Sequence, residues 1–170
     1  MKKLFAAFAL ALFSLAAAAQ ETAPLRVGTL TVDFPKTWNF RASAQRAEGH
    51  GPDGELVILM YRSLHPGAPA EIVAQHWTVI RNFARDEMPG LAGGTDTQVL
   101  RAVTEVPQPD ARVAFSSVSK RSRQGREAYF LQYLLGSPRT IAYFTVEGVG
   151  DATQAAERFE KILATQRWQE

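Results

Sequence analysis

Past residue 24 the apolar positions change period along the chain, and the changes mark out its elements. Leu25, Val27, Thr29 and Thr31 alternate with Arg26, Gly28, Leu30 and Val32, a period of two that predicts an opening strand or bent hairpin over 25–34. Asp33-Phe34-Pro35-Lys36 turns the chain, and Trp38 and Phe40 resume the alternation. Gly49-His50-Gly51-Pro52-Asp53-Gly54 is dense in turn formers. It leads into Leu56-Val57-Ile58-Leu59-Met60-Tyr61, a strand apolar enough to be covered on much of both faces.

Between residues 68 and 88 the period lengthens. Val73, Trp77, Ile80 and Ala84 share one side at spacings of three and four, and Ile72, His76, Val79 and Phe83 widen that stripe. Glu71, Gln75, Thr78, Asn82 and Asp86 fill the opposite arc. The pattern predicts a helix lying on a sheet rather than one buried all round. Pro69 suits the first turn and Glu71 the positive helix end. Pro89-Gly90 stops the helix, and residues 91–98 read as a loop.

Four strands are expected next, over 99–106, 112–118, 127–135 and 140–146. Pro107-Gln108-Pro109-Asp110 and Gly136-Ser137-Pro138-Arg139 are short connections that favour antiparallel neighbours. Asp151 with Gln154 forms a capping box for a last helix with Ala152, Ala155, Ala156, Phe159, Ile162 and Leu163 on its apolar face. The expected fold class is α+β, an antiparallel sheet covered by a long central helix and a C-terminal helix. No repeat, heptad or long linker divides residues 20–170, so they are expected to form a single domain.

The first nineteen residues follow another logic. Lys2 and Lys3 precede an apolar run from Leu4 to Leu15, and Ala16-Ala17-Ala18-Ala19 supplies small residues for cleavage. This is the anatomy of a signal peptide over 1–19, with Gln20 as the mature start. The apolar run is shorter than the roughly 20 residues that span a bilayer. The chain has no cysteine, which excludes a lipoprotein anchor and disulfides, so an exported domain must be stabilised by its core. The expected location is the periplasm. Lys+Arg number 19 against 17 Asp+Glu, and loss of Lys2 and Lys3 brings the formal charge to zero. Such a balance gives no general field for phosphates, so nucleic acid is not an expected partner.

The opening strand pair into Asp33-Phe34-Pro35-Lys36-Thr37-Trp38, the Gly-rich turn into the strand 56–61, the helix and the later meander resemble the PsbP/Mog1/DcrB-like group of α/β/α sandwich domains. The step from Ile141-Ala142-Tyr143-Phe144-Thr145-Val146 into the last helix fits the same layout. The resemblance spans residues 20–170. It implies a non-catalytic accessory or partner-binding domain and carries over no catalytic residue. Extrinsic photosystem proteins, a nuclear-transport factor and bacterial envelope proteins share the layout. The missing cysteine departs from membrane-tethered members.

Motifs of known chemistry are weak. His50, Asp53 and His65 offer imidazole and carboxylate, but they lack the tight pair spacing of a metal site. His76 lies inside the apolar stripe, as a partly buried histidine hydrogen-bonded to the sheet would. Ser116, Ser117 and Ser119 stand in no hydrolase motif beyond a chance Ser-x-x-Lys match. No cofactor, metal or catalytic residue is therefore expected, and a hydrolase or metal-binding protein built on His76 or on His50 and His65 stands as the third reading. The sharpest anomaly is Lys120-Arg121-Ser122-Arg123-Gln124-Gly125-Arg126, four cations in a loop between two strands, which Arg139 joins if adjacent turns share a sheet end. These residues are expected to bind an acidic envelope protein or a membrane surface, or else to be solvated. Trp38, Trp77, Tyr129 and Tyr133 are candidates to line an apolar pocket for a small hydrophobic ligand or lipid, or simply to fill the core.

Overall fold

Among the described residues, alternating side chains build ten strands, and the longer period builds the helices between them. The computed structural model describes residues 21–92, 96–108 and 113–169. The leader expected over 1–19 and the turn residues 109–112 lie outside these. The order is β1 (Thr22–Val27), β2 (Leu30–Pro35), β3 (Asn39–Ala42), β4 (Arg46–His50), β5 (Leu56–Ser63), α1 (Ala70–Asn82), a π turn (Phe83–Glu87), α2 (Met88–Leu91), β6 (Gln98–Pro107), β7 (Val113–Arg123), β8 (Arg126–Gly136), β9 (Thr140–Val149), α3 (Ala152–Leu163) and β10 (Arg167–Trp168).

Every strand pair is antiparallel. A large sheet runs β3-β4-β5-β9-β8-β7-β6, and a small one runs β1-β2-β10. The α+β class with a long helical segment and a C-terminal helix over an antiparallel sheet is the observed architecture. The α1 segment lies on one face of the large sheet; α3 and the small sheet lie on the other. Among the described residues, no helix is long and apolar enough to cross a membrane.

Cross-strand partners share a face, so pairing assigns the core. Val57, Leu59 and Tyr61 on β5, Ala142, Phe144 and Val146 on β9, and Tyr129, Leu131, Tyr133 and Leu135 on β8 face α3. Phe159, Ile162 and Leu163 of α3 and Leu25, Val27, Leu30, Val32 and Phe34 of the small sheet complete this cluster. Asp151 caps α3 as expected, its carboxylate accepting from the Gln154 backbone at 2.8 Å. The opposite face holds a smaller cluster of Ile80, Ala84, Met88, Phe115 and Leu134.

Three local expectations are corrected, and the opening segment takes the second of its two expected forms, a hairpin closed at Gly28 with φ +58°. A Cβ there would come within 2.1 Å of the Tyr61 ring, so the turn requires glycine. Strand β4 was not expected, because its outward residues Arg46, Glu48 and His50 are polar and its inward ones, Ala47 and Gly49, are small. The central helix is not continuous: a π turn interrupts it at Phe83–Glu87. A wider turn keeps Ile80, Ala84 and Met88, spaced by four, in line over the sheet where an α-helix would drift by about 40° per step. The basic run is not a loop but the paired ends of β7 and β8, joined by Gln124 and Gly125.

Candidate functional site

The β7–β8 hairpin end follows from two-residue turn geometry. Gln124 and Gly125 have φ of +53° and +73°, the left-handed pair that matches strand twist. Alternation then divides the cations. Lys120 pairs with Glu127 at 2.7 Å. Arg121 sits only 24% exposed, its guanidinium 4.1 Å from the centre of the Phe130 ring and donating to the Ala92 carbonyl at 2.7 Å. It thus ties the end of the α2 segment to the sheet. Arg123 and Arg126 are different. They face each other directly across the strands, both are exposed, and neither has an ion-pair partner among the described residues. Like charges placed opposite one another repel, so this pair is an uncompensated positive tip. Arg139 lies at the other end of β8, eleven residues long and so spanning roughly 34 Å. There it donates to the carbonyls of His65 and Pro66 and cannot join the tip.

The four aromatic candidates are likewise dispersed. Trp77 packs with the α1 cluster on one sheet face, whereas Trp38, Tyr129 and Tyr133 are buried on the other. Trp38 borders a cleft of about 460 Å³ with Asp33, Asp53, Glu55, Glu157 and Arg158. Tyr133 borders a second of about 460 Å³ between α3 and β6–β7, with Phe115, Leu135 and Leu163. Tyr129 lines a third hollow with Val149 and Gly150. Burial raises the hydroxyls of Tyr129 and Tyr133 above their ordinary range, so both remain protonated hydrogen-bonding groups.

At the first cleft stands a constellation that no motif announced. Glu55 is 2% exposed. One oxygen accepts from Arg158 at 2.7 Å and the other from the Asp53 backbone at 3.0 Å. Arg158 also donates to the Tyr129 hydroxyl at 3.3 Å. The acidic turn residue reads as a surface carboxylate in the sequence; only the long-range approach of α3 buries it. Both carboxylate oxygens and the guanidinium are engaged, which makes the group a clamp between the 51–54 turn and α3.

The remaining candidates stay apart. His50 lies 3.5 Å from Glu48, and His65 accepts from the Gly67 backbone at 3.1 Å. No group of three or more His, Asp or Glu side chains that could hold a metal occurs among the described residues. Ser116, Ser117 and Ser119 are buried in β7. His76 is buried as expected, but its Nδ1 has no hydrogen-bond partner among the described residues, which corrects the expected bond to the sheet.

Comparison with solved structures defines the class of fold. No family model matches the chain, and no curated protein matches it. It overlays the cyanobacterial PsbP (CyanoP) of Synechocystis sp. PCC 6803 with a TM-score of 0.57 at 9% identity, covering 91% of this chain and 96% of that one. LpqN of Mycobacterium tuberculosis, described as involved in cell envelope biogenesis, gives 0.57 at 14% identity over 88% and 91%. The Ran-binding protein Mog1p of Saccharomyces cerevisiae gives 0.52 at 10% over 88% and 96%. A Bacteroides thetaiotaomicron structure is matched at 0.53 and 10% identity over 84% of this chain but 46% of its own length, so the chain spans about half of that protein. The fold is therefore the PsbP/Mog1-like α/β/α sandwich, as the sequence layout implied.

Proposed function

We propose that the protein is an exported, non-catalytic accessory domain of the bacterial envelope that binds an acidic protein partner through the β7–β8 hairpin end. The observation that carries this reading is the facing pair Arg123 and Arg126, exposed and without an ion-pair partner among the described residues. A fold needing only solubility gains nothing from opposing like charges in register, whereas a partner's carboxylates would relieve the repulsion and make charge-assisted bonds. The leader over residues 1–19 supports export. LpqN's description and Mog1p's binding of Ran support an accessory, partner-binding role on this scaffold. Cross-linking from position 124 in the native envelope tests it. Wild type should yield a discrete adduct that Arg123→Glu/Arg126→Glu loses while its thermal unfolding is unchanged. An undiminished adduct in that variant removes the hairpin from the proposal.

A second reading, carriage of a small hydrophobic ligand, draws on the cleft of Phe115, Tyr133, Leu135 and Leu163. Native mass spectrometry of freshly purified protein should then show a retained mass that Leu163→Trp excludes. A consistently empty protein argues against it.

A further inference from the structure

The large sheet is seven strands wide, about 29 Å from first strand to last, and one helix about 10 Å across cannot cover it. On its face the helical segment 70–91 stands over β7, β8 and β9, through Ile80 of α1, Ala84 of the π turn and Met88 of α2 on Phe115, Leu134 and Tyr143. Arg81 marks the side of α1 toward β6, where it pairs with Glu105 at 3.4 Å. Phe83 marks the opposite side, its ring edge-on to Tyr143 at 5.3 Å. Val79 and Ile72 lie four and eleven residues before Phe83, on that same side of the helix, and are 58% and 44% exposed.

Beneath this flank the sheet continues without cover. Met60 pairs with Tyr143 and with Arg46, and Ile58 with Thr145 and Glu48, so all share the α1 face. Met60 is 48% exposed. The result is an L-shaped recess: Ile72, Val79 and Phe83 form the wall, and Met60 and Ile58 the floor. Its outer rim is basic. Arg41 opposes Glu48 across β3–β4, Arg46 pairs with Glu48 at 3.0 Å, and Arg62 is exposed at the end of β5. Neither Arg41 nor Arg62 has an ion-pair partner among the described residues.

We infer that this recess docks one amphipathic helix of a partner protein, apolar on the inner side and flanked by carboxylates. The uncovered width fits a single additional helix beside α1, the step between helix and sheet gives it a wall and a floor, and the arginine rim selects an acidic flank. A second copy placed symmetrically would bring the two basic rims together. A membrane plane would meet the raised helix before the sheet, since a helix is about 10 Å across and this one lies on the neighbouring strands of that face. The surface is separate from Arg123 and Arg126, so this inference and the hairpin reading fail independently.

The test uses the whole mature protein and two helical peptides, both with leucines at three- and four-residue spacing, one flanked by glutamates and one by lysines. The glutamate peptide should shift the methyl resonances of Met60, Ile58, Ile72 and Val79 and bind more weakly as salt rises. Met60→Glu/Val79→Glu should lose more than about tenfold in affinity. Arg41→Glu/Arg62→Glu, which leaves the apolar floor untouched, should also lose affinity, whereas Arg123→Glu/Arg126→Glu should keep it. Equal binding of the two peptides, or unchanged affinity in the first two variants, overturns the inference. So does burial of Met60 by self-association in sedimentation, or by phosphatidylglycerol vesicles, without peptide binding.

Discussion

The two faces of the large sheet show how differently one set of strands can be used. On one side, apolar residues from β3 to β7 meet α3 and a three-stranded sheet, and Phe34, Trp38, Phe40 and Phe159 interlock with ring centres 4.7–6.0 Å apart. On the other, one interrupted helix covers part of the width through a small apolar cluster and a buried polar network. Gln132 donates from Nε2 to the Met88 carbonyl at 2.9 Å and to the Tyr143 hydroxyl at 2.6 Å, and its Oε1 accepts from Ser117 at 2.6 Å. Stability on the first face comes from area; attachment on the second depends on a few specific bonds. A face held that way has room left for something else.

Truncation in the aromatic cluster should give the largest effect. Phe159 is 1% exposed, and Phe159→Ala is expected to cost roughly 3–5 kcal/mol, from lost transfer energy and the cavity left behind. Met60→Ala on the open face should stay within about 0.5 kcal/mol. Urea midpoints at constant slope measure both. A Met60 cost near that of Phe159 would mean the open face is packed after all, and would remove the contrast.

Gln132 sharpens the same contrast at intermediate size. Gln132→Ala strands the Ser117 hydroxyl and the Met88 carbonyl, a loss of roughly 1–3 kcal/mol. Because Met88 begins the last helical turn over the sheet, amide exchange in residues 83–91 should accelerate more than in α3. Uniform acceleration through both would show that the two faces unfold as one unit and that Gln132 does not anchor the helix specifically.

Legibility in the sequence divides along related lines. The strands expected over 56–61, 127–135 and 140–146 and the helix after Asp151 announced themselves because burial on a regular face leaves a regular apolar period. The central helix was also legible, but its π turn was not, since the same spacings of three and four serve either geometry until the sheet below fixes which residues must line up. Strand β4 was hidden by its small inner residues; Gly49 faces inward because the Phe40 ring lies over it, within 2.1 Å of where a Cβ would stand. At the candidate hairpin, composition exposed the charge, but cross-strand register decided which cations remain unpaired. Gln132 looked like one polar interruption in an apolar alternation. Glu55 and Arg158, 103 residues apart, had no local signal at all.

The margin of the covered face gives the smallest expected effect and the one with a defined pH signature. Arg167 on β10 forks onto Asp33 on β2, with both bonds at 2.7 Å. Those hydrogen bonds hold the Asp33 carboxyl below its ordinary value, with opposition from partial burial and further help from charge attraction. The folded state therefore favours the ionised carboxylate. Its stabilising contribution is full above the unfolded value of about 3.9 and disappears as pH falls through the lower folded value. Wild type should consequently be slightly more stable than Asp33→Asn at pH 7, with the gap closing below about pH 4 and narrowing in high salt at neutral pH. A gap that persists in acid would assign the difference to altered packing of β2 rather than to the ion pair, and would place β10 among the rigid parts of that face instead of at its electrostatic edge.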